Sequence, residues 1–248
     1  MAKSNKALIS GGTRGIGKAI ALELVLHAGV GVLFLNYVEN ETAALQARDL
    51  LEAEGCKVHL LKYNLAFPAE ISAMFDEING LTDQLDFYVH STALTSFKPL
   101  HLVKPNQWDL TLNISAKSFL QCAQGCVPLM HEGGKMLAIS STGSRRFNPN
   151  YGALGVAKST LESMVQYLAV ELADKNIQVN GIVAGMIQGE KLPPFPNIDK
   201  VVEETLRRTP ARRLGTPADV AKTALFLLTQ ADWMYGQNVV LDGGYCLT

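Results

Sequence analysis

The chain has almost no net charge: 22 Lys and Arg stand against 23 Asp and Glu in 248 residues, a formal charge of -1. No Lys or Arg run exceeds two residues. Without a basic excess to neutralise phosphates, nucleic-acid binding is excluded as the main activity. Cysteine is sparse. Cys56, Cys122, Cys126 and Cys246 show neither C-x-x-C spacing nor the density of a disulfide framework. Cys122 and Cys126 fall at helical spacing and read as packing residues, so no metal or redox site is expected. Long apolar runs are missing too. "VLHAGVGVLFL" is far short of a membrane span and carries His27. "MAKSNKALISGG" enters a strand almost at once, with no room for a signal peptide. The expectation is a cytoplasmic protein with no membrane partner.

What is present is an α/β alternation. The chain is 48% hydrophobic, enough for one domain over 1–248 with a substantial core. Strands are expected at 6–10, 31–36, 57–63, 85–90, 134–140, 177–183 and 238–242. Helices are expected at 15–28, 40–54, 68–78, 106–130, 151–174, 197–208 and 217–229. Strand followed by helix, repeated, argues a parallel sheet covered on both faces with right-handed crossovers. The one long irregular stretch, "AGMIQGEKLPPFPN" at 184–197, reads as a substrate loop. With the helix after it, about 184–208, it reads as a lid, offering Met186, Ile187, Leu192 and Phe195.

The first strand runs into "SGGTRGIGKAIALEL". Gly11 permits a tight turn. Gly15 and Gly17 let a pyrophosphate approach the backbone at a helix N-terminus, where free N–H groups and the helix dipole favour anions. An acid binding the ribose 2′-hydroxyl is absent from the end of the second strand, which reads "FLNYVEN" with the neutral Asn36. Arg14 in the cradle is placed to pair with a 2′-phosphate. The cofactor read from this is NADPH, in preference to NADH, although Glu39 lies close by.

"SGGTRGIG", "LDFYVH", "LNISAKSF" with Asn113, "AISST" with Ser141, "VNGIVAG", "PARRLGTPADVA" and "GQNVVLDGG" follow in order along the chain. On these motifs the sequence resembles the short-chain dehydrogenase/reductase superfamily over essentially its whole length. The resemblance implies a Rossmann-type doubly wound sheet of seven parallel strands in a single domain. It also implies a dimer or tetramer built from the helices at 106–130 and 151–174 and the last strand. The usual Tyr-x3-Lys pattern would put its tyrosine 13 residues after Ser141, where Leu154 stands. "NPNYGALGVAKST" instead places Tyr151 seven residues before Lys158, and this Tyr-x6-Lys spacing resembles the NADPH-dependent enoyl-acyl-carrier-protein reductases. Seven residues at about 100° each return a side chain to within about 20°, so both can share a helix face.

On that resemblance Tyr151, Lys158, Ser141 and Asn113 form the catalytic set. Tyr151 donates to a thioester oxygen, with its pKa lowered by the field of Lys158. Lys158 holds the nicotinamide ribose. Ser141 gives a second hydrogen bond, and Asn113 supports a water or helix kink near the lysine. The dinucleotide would meet Gly11, Thr13, Arg14, Gly15, Ile16 and Gly17 in the cradle, then Asn36, Asn64 and Leu65, then Lys158, Gly185 and Ile187. "HSTA" at 90–93 and Gly189 depart from the family pattern; His90 reads as a structural histidine, and Tyr167 as packing. Phe147 is a candidate pocket residue. Arg145, Arg146, Arg207, Arg208, Arg212 and Arg213 are candidates for receiving an acidic acyl carrier protein. The expected substrate is an enoyl thioester in fatty-acid or natural-product synthesis. Two rivals stand beside it: a carbonyl reductase of the same fold, and a non-catalytic NADP-binding sensor or scaffold.

Overall fold

A computed structural model describes residues 4–189 and 198–248. Seven strands form one parallel sheet: β1 (Asn5–Ser10), β2 (Val30–Tyr37), β3 (Lys57–Lys62), β4 (Phe87–His90), β5 (Gly134–Ser141), β6 (Ile177–Ala184) and β7 (Asn238–Leu241). Their order is β3-β2-β1-β4-β5-β6-β7. The chain begins in the middle, winds outward one way, then crosses back and winds the other way. The reversal beside β1 and β4 opens a crevice at the carboxyl ends of the strands, where such sheets bind ligands. Ser10 pairs with Asn36 on one side and His90 on the other, so these three ends are level.

Helices α1 (Gly15–His27), α2 (Glu41–Ala53), α3 (Pro68–Leu81), α4 (Pro105–Leu112), α5 (Ser118–Cys126), α6 (Gly152–Glu171), α7 (Ile198–Arg208) and α8 (Pro217–Thr229) cover the sheet. Their starts are chemically marked. Pro68, Pro105 and Pro217 occupy first positions, where the missing N–H costs nothing. Thr216 and Asp219 form a reciprocal capping box on α8. Alternation along the strands feeds two cores. On one face Leu8, Tyr88 and Met136 pack with Phe119 of α5 and Leu161 and Val165 of α6. On the other Ala7, Ile9, Val89 and Leu137 pack with Ile20 and Leu24 of α1 and Val220 and Leu227 of α8. Each fully buried Leu or Ile contributes roughly 2 kcal/mol by transfer from water. Cys122 and Cys126 are free and buried in the first core, and burial raises both thiol pKa values.

The helix expected over 106–130 is broken into α4, a π-helical turn at Asn113–Lys117, α5 and a 3-10 turn at Val127–Leu129. Periodicity cannot show the break, because a π turn adds one residue without changing composition. Part of the expected lid, including Leu192 and Phe195, lies outside the described residues. The segment before it is anchored: Gln188 N donates to Gly215 O at 2.7 Å and Gly215 N to Met186 O at 3.0 Å. Among the described residues, no helix is long and apolar enough to cross a membrane.

Candidate active site

The cradle is made of backbone. Gly11 and Gly15 have φ of +64° and +50°, left-handed values that favour glycine. A Cβ on Gly17 would lie 2.3 Å from Gly11 O, so the helix can sit this close to the turn only with glycine there. The first turn of α1 carries no side-chain cap from Arg14 and no acidic residue, which leaves its N–H groups for an anion. Beside the cradle Thr92 Oγ1 is buried with no hydrogen-bond partner among the described residues. Free N–H groups, an orphaned hydroxyl and a helix start with no room for a Cβ at Gly17 fit a dinucleotide pyrophosphate. Gly11, Gly15 and Gly17 would hold it.

The other predicted cofactor contacts are placed as follows. Arg14 is exposed at the N-cap of α1, Thr13 is buried, and Ile16 is half-buried. Asn36 is buried, and its Nδ2 donates to Leu61 O at 3.2 Å and Tyr63 O at 2.8 Å. Its amide therefore ties β2 to the β3 edge. Asn64 Oδ1 accepts from Ala66 N at 3.0 Å, and Leu65 is buried. Gly185 sits where a Cβ would meet Asp242 at 2.8 Å, and Ile187 packs on Gly215.

Three elements bring the catalytic candidates together. Ser141 ends β5, Tyr151 caps α6, and Lys158 lies two turns into α6. Tyr151 Oη donates to Ser141 Oγ at 3.0 Å. Gly143 lies against the Tyr151 ring, where a Cβ would come within 2.4 Å of it. Lys158 is 4% exposed and its Nζ donates to Ile139 O at 2.7 Å. Burial pulls its pKa down to about 8, partly offset by Glu162. Leu154, at the position of the alternative register, is buried in the core. Asn113 opens the π-helical turn, which packs against α6.

Several expectations need correction. Tyr151 has a raised pKa, because desolvation exceeds the lowering from its bond to Ser141. It is a neutral hydroxyl donor at physiological pH. Phe147 is 88% exposed, and the aromatic beside Tyr151 is Phe97, with ring centroids 6.1 Å apart. Tyr167 is 69% exposed on the outer face of α6. Contacts within the chain orient the six arginines without removing them from the surface: Arg145 with Glu162, Arg146 and Arg208 with Thr248 O, Arg207 with Glu204, Arg212 with Arg207 O, and Arg213 with Asp219. His90 is fully buried, its Nδ1 near Ser10 Oγ at 3.0 Å and Tyr88 Oη at 3.1 Å, as a structural histidine would be. Sequence reasoning passed over Gly143, Phe97 and Glu162. Only Glu162 carried a signal: it is an acid one turn beyond Lys158 on a helix stripe otherwise lined by Ala157, Leu161 and Val165.

Comparison with known proteins first defines the class: a short-chain dehydrogenase/reductase, a class of NAD(P)H-dependent oxidoreductases. More narrowly, the chain belongs to the family described as enoyl-(acyl carrier protein) reductase, whose model matches residues 11–246. It is similar to 1-cyclohexenylcarbonyl-CoA reductase of Streptomyces collinus, at 35% identity over 96% of this chain and 85% of that protein. It is also similar to the 3-oxoacyl-[acyl-carrier-protein] reductase FabG of Staphylococcus aureus, at 28% identity over 98% of this chain and 99% of that one. Among solved structures it resembles the Bacillus cereus enoyl-acyl carrier protein reductase with NADP+ and indole naphthyridinone. That match has a TM-score of 0.88 and 28% identity, and covers 99% of this chain and 98% of the other.

Proposed function

We propose that this protein is an NADPH-dependent reductase of the carbon–carbon double bond of an enoyl thioester. The observation that carries the reading is the register of α6. Leu154 is in the core, and Tyr151 is the residue whose hydroxyl reaches Ser141. When bound, NADPH would supply the hydride for the β-carbon. The chain's own residues then manage charge. Tyr151 turns its single O–H from Ser141 Oγ to the thioester oxygen as negative charge develops there, Ser141 then donates to the phenol oxygen and orients it, and a proton from solvent at the α-carbon completes the saturated thioester. Lys158 keeps a buried positive charge near the ribose. An enoyl thioester needs such a donor two bonds further from the reacting carbon than a ketone does, which suits a tyrosine set further along the helix.

The test is NADPH oxidation with a crotonyl or longer enoyl thioester, on coenzyme A and on acyl carrier protein, with product mass. A saturated thioester from the wild type, with kcat reduced about 10²–10³-fold in Tyr151→Phe, supports the reading. The FabG similarity favours one rival, a 3-oxoacyl reductase, which would give an alcohol from a keto substrate and no saturated thioester. Cofactor binding with no turnover on either substrate would mark a sensor or scaffold. A homo-oligomer, dimer or tetramer, is part of the proposal: Val156, Tyr167 and Val170 present apolar surface on the outer face of α6, where a second copy would cover it. Light scattering of the purified chain tests this, and a monomer would remove it.

A further inference from the structure

Glu162 has no part in the chemistry above, yet three side chains converge on its carboxylate. Ser140 Oγ donates to Oε1 at 2.6 Å, Ser144 Oγ donates to the same oxygen, and Arg145 Nε donates to Oε2 at 3.0 Å. The Glu162 side chain is 12% exposed. Its backbone carbonyl accepts from Asn238 Nδ2 at 3.1 Å, and Arg145 Nη2 donates to Asn238 O at 3.3 Å, so the cluster also reaches β7. The donors Ser140, Ser144 and Arg145 bracket Ser141, which bonds Tyr151, and Gly143, which lies against its ring.

We propose that Glu162 is a positioning residue for this site: its carboxylate clamps the 140–145 turn that presents Ser141 and Gly143 to Tyr151, and it sets a negative charge one helical turn from the Lys158 ammonium. The inference rests on the reading of Tyr151 and Lys158 given above. Salt-bridged carboxylates are common ties, but this one holds the turn that carries the reacting donor. Charge-assisted hydrogen bonds from two hydroxyls and a guanidinium fix that turn more firmly than neutral ones would. The electrostatic half follows from distance along the helix, since residues i and i+4 share a face. Lys158 is pulled down by burial and lifted by Glu162. The other titratable groups on this face are His90 of β4, whose pKa is lowered well below its usual value, and Tyr151, which is neutral. Arg145 lies beyond the carboxylate. Among the described residues, Glu162 is therefore the anion whose charge acts on the lysine.

Two variants separate clamp from charge. Glu162→Gln removes the charge and keeps the shape. The alkaline limb of its kcat/KM profile is expected to move to lower pH, with plateau kcat down about tenfold and NADPH affinity retained. Ser144→Ala removes one donor to the carboxylate, together with that hydroxyl's contact to Ser141 O at 2.7 Å, and keeps the charge. It is expected to lower kcat a few-fold and leave the limb in place. An unmoved limb in Glu162→Gln, or an unchanged kcat in Ser144→Ala, overturns the proposal. The titration of the Lys158 13Cε resonance in the protein without substrate reads the same shift directly. That readout needs no thioester turnover, so failure of the enoyl assay in the wild type and failure of this coupling are told apart.

Discussion

The two halves of the crevice are built from different materials. At the β1–α1 turn the working groups are backbone N–H groups, and the side chains matter by being absent. At the β5–α6 turn the working groups are side chains, Ser141, Tyr151 and Lys158, and the backbone matters by letting them meet. Glycine appears in both, with different meanings. Gly17 lets a helix start come within 2.3 Å, measured from a virtual Cβ, of the Gly11 carbonyl. Gly143 makes room for the Tyr151 ring. The first kind of site would bind a common anion, and the second would decide which reaction follows. Relatives named for different reactions match over 96% and 98% of this chain.

A single methyl breaks the comparison on either side. Gly17→Ala should have the larger effect. Its Cβ meets rigid backbone, and overpacking of that kind costs about 1–3 kcal/mol, or up to about 10²-fold in affinity. NADPH binding by fluorescence titration should weaken by that order, and every substrate should be affected alike. Gly143→Ala pushes on a ring that can turn. Its expected outcome is kcat down on the order of tenfold with NADPH affinity unchanged, since misplacing a reacting group by a fraction of an ångström slows chemistry without touching the cradle. Steady-state kinetics beside cofactor titration distinguishes the two. A loss of NADPH affinity in Gly143→Ala would mean that the two halves are not independent.

The cradle was legible in the sequence because it is contiguous. Strand, glycines and helix follow one another within the first 27 residues, and each glycine has a local steric reason. The sheet was legible for the same kind of reason, as short apolar runs alternate with amphipathic helices. Tyr151 and Lys158 were legible as a pair, since one helix carries both. What stayed hidden is non-local or has no compositional mark. The Glu162 cluster joins residues 140, 144, 145, 162 and 238, from two strands, a turn and a helix. The π-helical turn at Asn113–Lys117 reads as plain helix. Phe97 reaches Tyr151 from a loop with no period. The raised Tyr151 pKa was misjudged because the positive charge nearby was visible in sequence and the desolvation was not.

The two halves also differ in how they respond to pH. The cradle has no titrating group of its own, whereas the β5–α6 site has Lys158, with a pKa of about 8. The sign follows from the proton. Below about 8 Lys158 is charged and the site is competent; as pH rises through that value the charge is lost. His90 is neutral across this range and the Tyr151 phenol stays protonated, so the limb belongs to the lysine. The expected kcat/KM of the free enzyme is flat near neutrality and falls about tenfold per unit well above the limb. NADPH binding followed over the same range should change less than turnover does.

Cofactor choice is the smallest effect and the sharpest probe of the cradle as a backbone device. Asn36 and Arg14 are the two side chains read as favouring NADPH, with Glu39 close by against them. Asn36 is the poorer one to mutate: its Nδ2 bridges Leu61 O and Tyr63 O inside the sheet edge, so Asn36→Asp would leave two buried carbonyls facing a carboxylate. Any change in cofactor preference would then be mixed with misfolding. Arg14 is exposed and makes no cap bond, so Arg14→Ala removes only its charge and reach. An exposed cation on a 2′-phosphate is worth about 1 kcal/mol, about fivefold in affinity. The expected outcome is a fivefold rise in KM for NADPH, unchanged KM for NADH, and kcat unaltered. A variant that loses both cofactors equally would show that Arg14 serves the pyrophosphate instead, and that the discrimination read from the second strand has to come from elsewhere in the crevice.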